Sequence, residues 1–219
     1  ITGSLTITEA NNNHVQFKAF VDTMLATNGV NPPFKWTGTG NATTADVPTG
    51  LTRASFVEIF SYRVIWANVT VSGTDYKSRL YWSNLDSIST YTASDYRDVS
   101  IDDGQDITGI QTLGEELIVF KDNSIHKAVA TGDSNTPFVF TKTRSSVGCI
   151  AANSIQEVDN GLVFLSQDGF YYFDGNNSYK LSDRVTTTLS TYNETRFPYT
   201  VSVYSRKRNK YIASATLSG

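Results

Sequence analysis

Few residues of this chain are of the types that do covalent chemistry. There are two histidines, His14 and His126, and one cysteine, Cys149. An activated nucleophile needs a base within hydrogen-bond reach and a third group that orients the base. Neither histidine has a Ser, Cys or Asp neighbour in the spacing of a triad signature, and Cys149 has no such support. A packing or surface role is therefore expected for His126. With one cysteine there is no intramolecular disulfide, and no CxxC or Cys/His cluster points to zinc. Asp102-Asp103-Gly104-Gln105-Asp106 gathers carboxylates as a calcium loop would. It lacks the alternating ligand order, and no Glu stands six residues after the Gly, so a turn leading into a strand is the expectation. No catalytic, cofactor-binding or metal-binding residue is assigned, and no cofactor is expected.

The elements around these residues carry more information. Gly161 to Gly175 reads as two apolar limbs, Leu162–Leu165 and Phe170–Phe173, joined by Ser166-Gln167-Asp168-Gly169 and closed by Asp174-Gly175. That is a strand, a tight turn, a strand and a second turn. The four-residue turn is similar to the Asp-box of sialidase propellers, without the spacer between Asp and Gly and without the following Trp. Paired carboxylates for glycoside cleavage would have to come from distant loops.

Diluted copies of this unit recur. Met24–Thr27 with Phe34–Trp36 form one, and Phe56–Phe60, Arg63–Ala67 and Arg79–Ser83 a second, with Ser72–Ser78 as a long polar turn. Ile107–Leu113, Glu116–Phe120, Ser124–Ala130 and an outer Phe138–Thr143 form a third. Ala152–Val158 opens the fourth, and Tyr199–Tyr204 with Lys210–Thr216 a fifth, turning at Arg206–Asn209. Residues 1–20 read as two loose strands around Asn11-Asn12-Asn13, and His14–Thr27, the only stretch with any helical periodicity, reads as well as a strand pair. Trp36, Tyr81, His126 and Tyr171 fall on the return strands at intervals of 45 residues. Short antiparallel strands repeating at this period predict an all-β fold, a β-propeller of four-stranded blades. Stacking then buries faces that a lone blade leaves wet. An open β-sandwich is the other architecture the strands allow. Leu162 and Phe164, with Ile118 and Phe120, are expected to point between sheets, and Trp36, Trp66 and Trp82 into the core.

Composition agrees: 12 Tyr, 12 Phe, 3 Trp and one Met suit pleated sheets better than helices. The formal charge of −3 argues against binding nucleic acid through a basic face. Arg206-Lys207-Arg208 with Lys210 is a local exception, read as a solvated hairpin turn. No run of eighteen apolar residues and no signal peptide occurs in the sequence. The Asn-x-Ser/Thr triplets at Asn41, Asn68, Asn176 and Asn193 are no more than chance supplies. The chain is expected to be a single propeller domain over residues 1–219, or part of one, within a longer polypeptide.

Several strings resemble the propeller domain of phage tail proteins of the nozzle, or tail tubular (hub), type. They are Asn28–Trp36, Arg79–Ser83, Ile107–Ile110 with Leu117–Ile125, Gly148–Ala151 and Phe164–Gly175. The resemblance implies a structural protein of the virion tail, not an enzyme, assembled with other copies of itself in a ring, as a hexamer, around the channel of genome ejection. It implies adaptor and fibre proteins as neighbours, DNA only as passing cargo and no stable membrane insertion. Gly38–Gly50, Ser72–Ser78 and Ser87–Asp103, the longest polar insertions, are the expected contact loops. A carbohydrate-binding or glycan-cleaving propeller is the competing function, and a generic interaction propeller of a cell surface or periplasm a third.

Overall fold

In the computed structural model, which describes residues 15–185, 189, 191 and 193–216, the chain divides into two compact units, residues 1–107 and 108–219. The residues 1–14, with the strand and turn expected there and His14, lie outside the described residues.

Unit 1 contains two antiparallel sheets. The first is β1 (Gln16–Phe20), β2 (Thr23–Thr27), β3 (Phe34–Trp36) and β4 (Thr43–Thr44), in that spatial order. The second is β5 (Leu51–Phe60), β6 (Arg63–Val71), β7 (Thr74–Trp82) and β8 (Tyr96–Asp98), again in chain order. Each strand pairs with its sequence neighbour, so every connection is a local turn or loop. The hairpin turns are tight. Ser61-Tyr62 has φ of 47° and 57°, and Ser72-Gly73 has 50° and 82°, the left-handed pair whose twist matches the flanking strands.

Ser72–Ser78 is therefore not a long loop. The turn is Ser72-Gly73 alone, with Val71 opposite Thr74, and the polar residues after it belong to β7. They escape an apolar-pattern reading because they are solvated on an extended hairpin. Within β6 the register shifts between Ala67 and Val69, where Asn68 takes φ 53°, a bulge that bends the strand.

The two sheets of unit 1 bury Phe20, Leu25, Leu51, Val57, Val64, Trp66, Val69 and Tyr81 against one another. Lys18 of β1 donates to Glu58 of β5 at 2.7 Å, and Thr27 donates through Oγ1 to the Ala54 carbonyl, fixing the stacking of sheet on sheet.

Unit 2 repeats the plan. Its first sheet is β9 (Ile107–Leu113, whose first residue belongs to unit 1), β10 (Glu116–Lys121), β11 (Ile125–Ala130) and β12 (Phe138–Lys142). Its second is β13 (Gln156–Val158), β14 (Gly161–Ser166), β15 (Gly169–Phe173) and β16 (Ser178–Lys180). A two-stranded hairpin, β17 (Val201–Ser205) and β18 (Lys210–Ser214), follows. Ile118 and Phe120 meet Leu162, Phe164 and Phe173 between the sheets as expected, with the Phe120 and Phe164 rings 5.0 Å apart. The hairpin packs on the far side of the second sheet: Tyr211 donates to the Ser154 carbonyl at 2.7 Å and its ring meets Phe170 edge-on at 5.8 Å.

The fold is thus all-β, with four four-stranded antiparallel sheets of roughly 40–45 residues each. Trp36, Tyr81, His126 and Tyr171 each lie in the third strand of a sheet, so the interval of 45 residues marks a true structural equivalence.

Two further corrections concern the other polar insertions. Gly38–Gly50 contains β4, and Ser87–Asp103 contains β8; each supplies the fourth strand of its sheet. Another concerns the tryptophans. Trp66 and Trp82 are buried, but Trp36 is 38% exposed and donates to the Gly40 carbonyl at 3.1 Å.

Candidate functional site

The turn between β14 and β15 gathers polar groups around a cleft. β14 is buried along its whole length, and its partner β15 starts at Gly169, whose φ of 142° is left to glycine. A Cβ there would lie 2.1 Å from Ser182 Oγ, so the strand after the turn closes directly onto the segment following β16. The turn residues Gln167 and Asp168 then border a cleft of about 270 Å³, completed by Lys180, Leu189, Glu194 and Phe197. Leu189 and Phe197, both buried, supply apolar lining, and the other side chains bring two carboxylates, one ammonium and one amide.

The charges around this cleft are ordered. Asp168 Oδ2 accepts from Tyr171 at 3.0 Å and from Lys180 Nζ at 2.8 Å. Partial burial works against the Asp168 charge, but the Lys180 and Tyr171 donors outweigh it and hold the carboxyl below its usual range. The hydrogen bond to Asp168 raises Lys180 in turn, while burial and then Asp168 raise the Tyr171 phenol. Asp168 is thereby kept ionised, the opposite of what a general acid in glycoside cleavage requires. These polar groups can hydrogen-bond a polar ligand beside the apolar lining. Asp168 and Gly169 were visible in the sequence as turn residues, but Lys180, Glu194 and Phe197 were not, since they reach the cleft only through the fourth strand and the 3₁₀ turn at Glu194–Tyr199.

The other candidates lie elsewhere. His126 is buried in β11 opposite Val119, with Ser124 Oγ 3.4 Å from its Nε2. That pair has the atoms of a nucleophile and base, yet both side chains are sealed in the core, as the packing expectation requires. Cys149 is fully buried, its Sγ 3.2 Å from the Ala151 carbonyl, and burial pushes the thiol up to about 12. A reactive cysteine needs the reverse.

The Asp102–Asp106 carboxylates diverge. Asp103 accepts from the Gln105 amide at 2.9 Å in a turn ending at left-handed Gly104, and Asp106 pairs with Lys77 at 3.0 Å. Among the described residues no group of three or more His, Cys, Asp or Glu side chains is placed to hold a metal ion. Arg206-Lys207-Arg208 forms a single 3₁₀ turn at the tip of the β17–β18 hairpin, closed by left-handed Asn209, which is the hairpin turn expected. Asn193 caps the 3₁₀ turn that follows it by accepting from the Thr195 amide. No protein-family model matches the chain, and no curated protein matches it in sequence.

Proposed function

We propose that the chain is a structural module of a phage tail, part of the nozzle or hub through which the genome leaves, and that its sheets are blades of a β-propeller. The observation that carries the reading is the repetition itself. Four sheets share one meander order, their third strands fall 45 residues apart, and within each unit two sheets pack face to face. Such stacking makes a stiff body with loops on its rims for protein contact. The strings that resemble nozzle propellers fall on core strands and their turns, among them Leu117–Ile125 and Phe164–Gly175.

In this reading the chain acts mechanically. Its partners are copies of itself in a ring, the adaptor and the fibres; DNA passes without being held. Electron microscopy of the purified full-length protein tests it: rings are expected, and monomers at all concentrations would count against it.

A second reading, a glycan-binding module, is favoured by the cleft bordered by Asp168 and Glu194. Binding on a glycan array that is abolished by Asp168→Ala would support it over the mechanical role.

A further inference from the structure

The β17–β18 hairpin has two different faces. Ser202, Tyr204, Tyr211 and Ala213 are turned to the neighbouring sheet, where Tyr211 and Ser202 both donate to the Ser154 carbonyl. The pairing of Val203 with Ile212, Val201 with Ser214 and Ser205 with Lys210 puts Val201, Val203, Ile212 and Lys210 on the opposite face. There Val201, Val203 and Ile212 stand 38%, 56% and 51% exposed. This apolar stripe runs into Lys210 and the exposed turn Arg206-Lys207-Arg208.

The four cations fall within five residues of one another, at the tip of this hairpin. Lys18, Lys35, Arg53, Lys77, Arg79, Lys127 and Lys180 each hold a carboxylate. No such pair within 4.0 Å involves Arg206, Lys207, Arg208 or Lys210 among the described residues.

We infer that this face is a reversible docking surface for an anionic lipid bilayer. The hairpin would lie with Val201, Val203 and Ile212 at the headgroup boundary and the four cations against lipid phosphates. Both contributions to interfacial binding, apolar burial and attraction to anionic headgroups, are present on one element, with Lys210 on the apolar face and the basic turn at its end.

Duplex DNA would meet the cations but give the aliphatic stripe nothing to bury against. Stacking on bases would need free aromatics, whereas Tyr211 is bonded to Ser154 and Tyr204 to Asn209. A further strand pair of the fold proposed above, seated on the same stripe, is the competing occupant, and it would leave a probe at Val203 insensitive to vesicles. Among the described residues no helix is long and apolar enough to cross a membrane, and the contact proposed here does not span one. The inference does not rest on the tail reading.

The test is co-sedimentation of the full chain with vesicles of mixed phosphatidylglycerol and phosphatidylcholine, and with pure phosphatidylcholine vesicles. Association with the anionic vesicles alone is expected, weakening at about 0.15 M salt as screening requires. Reversal of the turn (Arg206→Glu, Lys207→Glu, Arg208→Glu) should weaken it about tenfold or more. Val203→Ser with Ile212→Ser should weaken it severalfold. A fluorophore on Val203→Cys should shift to the blue with anionic vesicles, Cys149 being buried and unlabelled; this readout does not depend on the multiple variants folding. Equal binding to neutral vesicles, no binding at low salt, no spectral shift, or duplex DNA bound more tightly than vesicles would each overturn the proposal.

Discussion

Cys149 and Gly148 show how closely single residues are held. The thiol stays neutral in the fold up to about 12, whereas its ordinary value is 9.0, and burial likewise pushes the Tyr211 phenol to about 12 from 10.0. These acids release protons from the unfolded chain first, so between pH 9 and 12 the folded state binds more protons than the unfolded one. Stability from this source is complete below pH 9 and falls as pH rises. Urea titrations across that range should show the decline, and Cys149→Ala should flatten its lower part; an unchanged slope would refute the assignment. Gly148 is needed for space. A Cβ there would sit 1.9 Å from the Lys121 carbonyl oxygen and 2.6 Å from the Asp122 carbonyl carbon. Gly148→Ala is expected to cost about 3 kcal/mol or more, because the obstructing atoms are backbone, and thermal unfolding would reveal it.

At the scale of elements, the fourth strand of the second sheet is pinned by one arginine. Arg79 lies directly opposite Asp98 and grips both carboxylate oxygens, at 2.6 and 2.7 Å, with its guanidinium 3.9 Å from the Tyr76 ring and 4.0 Å from that of Tyr96. The Asp98 hydrogen bond outweighs burial and raises the guanidinium further above its ordinary value. Arg79→Met should cost about 2 kcal/mol and speed amide exchange in β8 more than in β5; uniform exchange would contradict the pinning. The tryptophans separate core from surface. Trp66→Ala, which also removes the 2.9 Å bond to Tyr91, should cost about 3–5 kcal/mol. Trp36→Ala, at an exposed site, should cost about 1 kcal/mol.

These same elements show what the sequence carries. Second and third strands are apolar enough to stand out, which is why Glu116–Phe120 and Phe170–Phe173 are legible. Thr43–Thr44 and Tyr96–Asp98 are short and polar and gain their identity only from the strand they join. The cleft is less legible still, because Lys180 and Glu194 join Asp168 around it through turns that no period encodes.

At the scale of the molecule, the loops change their meaning. Removing Gly38–Gly50 would take away β4, buried Ala45 and the Asp46 partner of Lys35, so a loss of particle assembly would report a damaged sheet. Replacing only the exposed Gly38–Asn41 by a Gly-Ser segment leaves these in place. On the tail reading proposed above, a tip that contacts a tail neighbour predicts that phage carrying the replacement lose infectivity while the purified protein keeps its melting temperature. Full infectivity would remove the tip from the contact surface.

The chain-order pairing of strands also bears on how the protein is made. Among the described residues every hydrogen-bonded neighbour in a sheet is the next strand in sequence, so most ladders close over short turns, the β7–β8 connection being the long one, and contact order stays low for an all-β chain. A sheet can therefore zip up soon after its fourth strand leaves the ribosome, and each pair of sheets can collect its core before the rest of the chain has been synthesised. The long wait with exposed strand edges that endangers many β proteins is shortened to the time needed to translate one repeat.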